Sequence, residues 1–145
     1  ADLGLTNIEF AAQDVLELRA EAAYDLVMGC NMLNFMNTPD KLARACANLC
    51  RAARPGGLIA VQTPHFWTLF EPFTRIPLLQ FLPIGLQDRI APARAKRPLM
   101  TDNRLPSLGE LERAFSSCGA RVLAVHRPSR LRRWLGYPVI LWARR

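Results

Sequence analysis

Tyr24-Asp25-Leu26-Val27-Met28-Gly29-Cys30 is an unbroken apolar run behind a single acid, the pattern of a parallel strand buried on both faces and so of a central one. Eight residues on, Thr38-Pro39-Asp40 supplies an N-cap, a proline for the first helical position and an acid for the positive end of the helix dipole. Leu42, Ala45, Cys46, Leu49, Cys50 and Ala53 then recur at three-and-four spacing and mark one buried helix face. Arg51 and Arg54 occupy the last turn, and Pro55-Gly56-Gly57 stops the helix. Leu58-Ile59-Ala60-Val61-Gln62-Thr63 follows as a second apolar strand, closing at Pro64-His65. Two buried strands joined through a helix make a crossover unit, which predicts a parallel α/β sheet.

Upstream, Ile8-Glu9-Phe10-Ala11-Ala12-Gln13 alternates as a short strand closed by Asp14, and a brief polar, helical link covers 15–23. Downstream, the segment 66–104 changes character. Five of the eleven prolines fall in it, interspersed with Phe66, Trp67, Phe70, Phe73 and Phe81. It reads as an apolar insertion with short helical turns, a kind of loop that often covers a site. Ser107-Leu108-Gly109-Glu110 has capping-box spacing and opens a helix whose face is Leu108, Leu111, Phe115 and Cys118, ending at Gly119. Residues 121–126 and 138–143 are read as two further strands, separated by an arginine-rich link. The expectation is one domain over residues 1–145, with 66–104 as its insertion.

The chain has 145 residues, half of them hydrophobic, and no run of eighteen apolar residues, so a soluble, cytoplasmic domain is expected. Cys30, Cys46, Cys50 and Cys118 are scattered through apolar patterns and read as reduced core thiols. Cys46 and Cys50 lie one turn apart, but no His or further Cys stands nearby at ligand spacing, so no metal site is expected. The net charge of +7 is uneven: residues 1–65 carry five cations against seven acids, and 66–145 carry fourteen against five. A basic second half suits an acidic substrate, anionic lipid or nucleic acid. Arg127, Arg130, Arg132 and Arg133 share one short link with only Trp134 and Tyr137 as stacking groups, and no nucleic-acid motif is present. Nucleic acid is therefore not expected as a partner, and a peripheral membrane contact stays open.

Asn7-Ile8-Glu9-Phe10 through Asp14, then Tyr24-Asp25-Leu26-Val27, Met32-Leu33-Asn34-Phe35 and Arg51-Ala52-Ala53-Arg54-Pro55-Gly56-Gly57, taken in this order, resemble the small-molecule S-adenosylmethionine-dependent methyltransferases of class I. The resemblance covers roughly residues 5–64, with a looser fit around 107–126. It implies a Rossmann-like, mostly parallel sheet with helices on both faces, lacking its N-terminal strands and carrying the apolar insertion after the family's fifth strand. The family's glycine-rich turn and the acid ending its second strand have no counterpart in the sequence. Both would precede Ala1, so the chain is read as the C-terminal part of such a domain, a fragment.

The resemblance also implies roles. Asp14 would accept from the adenine amine with Val15 beside the ring, and Cys30, Asn31 and Met32 would border the cofactor just past the strand that ends at Cys30. Asp14 and the Cys30–Met32 turn would then emerge at the same rim of the sheet. Phe35, Phe66 and Trp67 would meet the acceptor, and His65, at that same rim, is a candidate base for an acceptor hydroxyl or amine. The implied activity is methyl transfer from S-adenosylmethionine to a small-molecule or lipid-like acceptor. Two alternatives are carried beside it: a non-catalytic methyltransferase-like binding domain, and a basic nucleic-acid or membrane-surface module.

Overall fold

The structure is a computed structural model; it describes residues 6–64, 66, 68–71, 74–90, 104–127, 129, 132 and 138–145. The apolar run forms strand β1 (Tyr24–Cys30), and helix α1 (Pro39–Ala52) starts where its signals place it, with Thr38 accepting from the Lys41 N–H at 3.2 Å. Strand β2 (Ala53–Thr63) begins directly at the end of α1, so the Pro-Gly-Gly stop lies inside the strand as an irregular first stretch. Gly56 has φ +79°, and at Gly57 an added Cβ would stand 2.9 Å from the Arg54 carbonyl and 3.2 Å from that of Asp25. Only glycine lets β1 and β2 approach there.

Short helix α2 (Ile84–Ile90) lies in the insertion, and helix α3 (Leu108–Ser117) opens on a complete Ser107/Glu110 capping box. Strands β3 (Arg121–His126) and β4 (Val139–Arg144) finish the sheet. Its order is β1-β2-β4-β3. β1 and β2 are parallel, while β4 runs antiparallel to both neighbours, β2 and β3. Three strands therefore share one direction, and β4 is wedged reversed between two of them.

The Rossmann-like α/β arrangement is present, with differences in detail. Val27, Ile59 and Ala143 form one row across the sheet, and Gly29, Val61 and Leu141 the next. This face meets Leu42, Ala45, Cys46, Leu49 and Cys50 of α1 and Leu111, Ala114 and Phe115 of α3 in one core. Each large side chain buried there contributes roughly 1.5–3 kcal/mol. Both helices thus pack on the same face. On the other face Leu26 and Met28 stay 46% and 61% exposed. Among the described residues β1 pairs only with β2 and is an edge strand, not the central one expected.

The strand expected at Ile8–Gln13 does not form: residues 7–14 have no regular structure, and Phe10 is 91% exposed. Alternation alone cannot make a strand when no neighbouring backbone receives its N–H and C=O groups. What fixes this part of the chain is polar. The buried Asn48 side chain donates from Nδ2 to the carbonyls of Val15 (2.8 Å) and Leu16 (3.1 Å), and Arg51 donates to the Leu18 carbonyl and to Asn48 Oδ1. Val15 and Leu16 pack their apolar side chains against the core behind these bonds. Asp25, for its part, pairs with Arg54 through two contacts of 2.8 and 3.0 Å. Both groups are exposed, so the pair is worth at most about 1 kcal/mol.

Asn48→Ala would leave two carbonyls of the strap without their donor. We expect it to lower stability by about 1–3 kcal/mol, read as a fall in the urea midpoint with an unchanged denaturant slope.

Candidate functional site

At the C-terminal end of β1 the chain turns sharply. Asn31 takes a left-handed conformation, φ +51°, while its N–H donates to the Gln62 carbonyl at 2.9 Å. A non-glycine residue with this φ is uncommon, and asparagine is among the few that tolerate it. The turn leaves Cys30 and Asn31 exposed and directs Met32 back towards the core. Gly29 makes room for it, since a Cβ there would lie 3.1 Å from Met32 Sδ. The next residues, Leu33–Phe35, form one 3-10 turn in which Leu33 and Asn34 are buried and Phe35 is 47% exposed.

That turn is tied to the far side of the insertion. The Arg104 N–H donates to the Asn34 carbonyl at 2.7 Å, which brings the entrance of α3 to the rim where β1 ends. Between this entrance and the first part of the insertion lies a cavity of about 410 Å³, within the usual range for a small-molecule site. Phe66, Leu82 and Leu105 line it together with Glu71, Gln80, Arg104 and Glu110. Phe66 meets Phe81 edge-to-face, with ring centres 5.1 Å apart at 75°. The Gln80 amide donates to the Thr68 carbonyl, and fully buried Glu71 accepts from the Thr74 N–H at 2.5 Å. Arg104 forms an ion pair with Glu110.

Glu110 is the best-held acid of the site. Burial pushes its carboxyl up, but the Ser107 N–H and hydroxyl hydrogen bonds and the Arg104 guanidinium outweigh that, and the group stays below its ordinary value. It serves two ends at once, closing the cap of α3 and anchoring Arg104 at the cavity wall.

No protein-family model and no curated protein matches the sequence. Solved structures do. An S-adenosylmethionine-dependent methyltransferase from Mesorhizobium loti superposes with TM-score 0.60 and 16% identity over 92% of this chain and 67% of its own. The 1,6-didemethyltoxoflavin-N1-methyltransferase of Burkholderia thailandensis, solved with its substrate and S-adenosylhomocysteine, gives 0.58 and 16% over 94% of this chain and 50% of its own. A [4+2]-cyclase, SpnF, gives 0.61 and 15% over 94% and 55%. The fold is that of the class I S-adenosylmethionine-dependent methyltransferases. The chain spans between about a third and two thirds of the length of the solved structures it matches.

Within this methyltransferase-like fold the residues named from sequence fall as follows. Cys30, Asn31 and Met32 sit together at the rim turn, and Phe35 lies one 3-10 turn beyond them. Asp14 does not end a strand beside β1. It caps the 3-10 turn Val15–Glu17, its Oδ1 accepting from the Leu16 N–H at 2.8 Å, and that turn rests on α1 through Asn48. Phe66 lines the cavity. His65 and Trp67 lie outside the described residues. Cys30, read as a core thiol, is exposed. Among the described residues no group of three His, Cys, Asp or Glu stands ready to hold a metal, and no helix is long and apolar enough to cross a membrane.

Sequence reasoning missed the polar lining. Glu71 is the sole acid between residues 66 and 87, and a lone carboxylate in an apolar stretch is a signal that was there to be read. Arg104 and Gln80 carried no such mark, because their role depends on where the insertion folds back.

The depressed Glu110 group makes a pH prediction. Its folded value lies below its ordinary 4.5, so its contribution to stability is complete above the unfolded value and is lost as pH falls through the folded one. The stability gap between wild type and Glu110→Gln should therefore be widest near neutral pH and close in acid, measured by urea melts across that range.

Proposed function

We propose that the chain provides the C-terminal sheet of an S-adenosylmethionine-dependent methyltransferase and the binding site for its small-molecule or lipid-like acceptor. The observation that carries this reading is the wedged, reversed β4 beside a parallel β1–β2 pair, with an exposed turn and an apolar-walled cavity at the rim where the parallel strands end. Ligands of open α/β sheets bind at that rim.

In this reading the cofactor would draw on two parts of the chain. Asp14 offers an exposed carboxylate to an exocyclic amine, Val15 an apolar neighbour, and the Cys30-Asn31-Met32 turn an exposed backbone and amide for the amino-acid end. When bound, S-adenosylmethionine supplies an electrophilic methyl group for in-line displacement by an acceptor oxygen, nitrogen or carbon. The chain's own part is to orient the acceptor and exclude water. Phe35 and Phe66 would give it an apolar wall, and the sequence next to them offers Trp67 as a further apolar contact and His65 as a base for an acceptor that has a proton to lose. The protein then needs neither a metal nor a covalent intermediate.

A second reading, a methyltransferase-like domain that transfers no methyl group, draws on the resemblance to a [4+2]-cyclase, whose TM-score of 0.61 stands beside 0.60 and 0.58 for the two methyltransferases. Titration of the intact protein with S-adenosylhomocysteine separates the two. The enzyme reading expects saturable binding that Asp14→Ala weakens by roughly tenfold, the scale of a hydrogen bond to a charged group. Absence of binding by the intact protein removes it. With an acceptor in hand, His65→Gln should cut kcat by about 10²-fold or more without changing cofactor affinity, and undiminished turnover would discharge His65 from the role.

A further inference from the structure

Where the C-terminal end of α1 meets the end of α3, three thiols converge. Cys46 and Cys50 stand one turn apart on the buried face of α1, and Cys118 is the C-cap of α3. Cys50 Sγ lies 2.7 Å from Cys118 Sγ, against roughly 2.05 Å for a completed S–S bond. The two sulfurs differ in access: Cys50 is 2% exposed, whereas Cys118 is half-buried. They also differ in character. Cys118 Sγ also stands 3.2 Å from the Ala114 and Phe115 carbonyls, to which its thiol donates; the hydrogen bond shared with Cys50, against the opposing effect of burial and aided by the N–H groups of Cys118 and Ala120, brings Cys118 down to about 7. The same bond, with burial, pushes Cys50 up, and burial beside Cys118 raises Cys46 to about 12. Among the described residues the Arg145 side chain, which donates to the Arg51 and Ala53 carbonyls, is a cation that acts on Cys50.

A half-buried thiol with a second, buried thiol within contact distance on a neighbouring helix is the geometry that a peroxide-sensing pair requires. We propose that Cys118 is an oxidation site and that Cys50 captures its oxidised sulfur, forming a disulfide that ties α1 to α3. The oxidant is a hydroperoxide. The Cys118 thiolate attacks the peroxide oxygen and breaks the O–O bond, giving a sulfenic acid and releasing hydroxide, or an alkoxide from an organic peroxide. Cys50 sulfur then attacks the sulfenic sulfur. The S–S bond forms, the S–O bond breaks, and the Cys50 proton neutralises the departing hydroxide. Two thiols and one hydrogen peroxide give one disulfide and two waters.

The bond would close a loop running from Cys50 to Cys118, which contains β2, the insertion and α3. It lies at the opposite end of α3 from Ser107 and Glu110 at the cavity, about 12 Å along the helix. Its direct effect is therefore on the unfolded chain, which it constrains, and a long closed loop should raise the thermal midpoint by roughly 5–15 °C. The inference needs no cofactor or acceptor and stands apart from the methyltransferase reading.

The test uses the intact protein with Cys30→Ser, to silence the exposed thiol, treated with one equivalent of hydrogen peroxide, alkylated and cut with trypsin. The expected product joins peptide 45–51 to peptide 114–121, with a thermal midpoint that rises and returns on adding dithiothreitol. The link should survive Cys46→Ser and vanish in both Cys50→Ser and Cys118→Ser. Two results overturn the proposal: a link that persists in Cys50→Ser, which would pass through Cys46, or a Cys118 that proceeds to sulfinic acid while the α1 thiols remain open to alkylation.

Discussion

The sheet is held together through β4. Its backbone bonds to β2 from Leu58↔Arg144 to Thr63↔Val139 and to β3 from Arg121↔Arg144 to His126↔Ile140, so among the described residues β3 joins the sheet through β4 alone. Leu141 and Ala143, both fully buried, supply the middle of the core under α1 and α3. The α1–α3 contact, the cavity at the entrance of α3 and the thiol cluster at its exit all depend on that strand being in place. Arg145 finishes the joint, pairing its backbone with Gly56 and Gly57 and donating from its guanidinium to the carbonyls of Arg51 and Ala53, where α1 passes into β2.

The local signals were legible in the sequence. Thr38-Pro39-Asp40 and Ser107/Glu110 start helices where their capping chemistry says they must, and the apolar runs at Tyr24 and Leu58 become paired strands. What could not be read is which strand lies beside which. Val139–Arg144 reads as a strand on composition alone, but nothing in six residues states that it runs backwards between two others. Ile8–Gln13 shows the converse error: a correct period with no partner to bond remains coil.

The site divides in the same way. Cys30, Asn31 and Met32 were found because they follow a strand the sequence marks clearly, and the left-handed Asn31 is a local property. The polar cavity wall is not local. Glu71, Gln80 and Arg104 meet only after an insertion of some forty residues folds back on the Leu33–Phe35 turn. Asn48 was hidden differently. It sits inside an otherwise apolar helix face, where the pattern invites the reader to pass over it, and it anchors the strap that bears Asp14 and Val15.

Among the described residues β1 bonds on one side alone, to β2. Seven residues of extended backbone, flanked by half-exposed Leu26 and Met28, present a template for β-augmentation. Any extended segment that reaches it, from this polypeptide or another, gains a ladder of main-chain bonds and an apolar neighbour in one step. Whichever segment arrives first decides whether the molecule grows its own sheet by a rung or becomes joined to its neighbour.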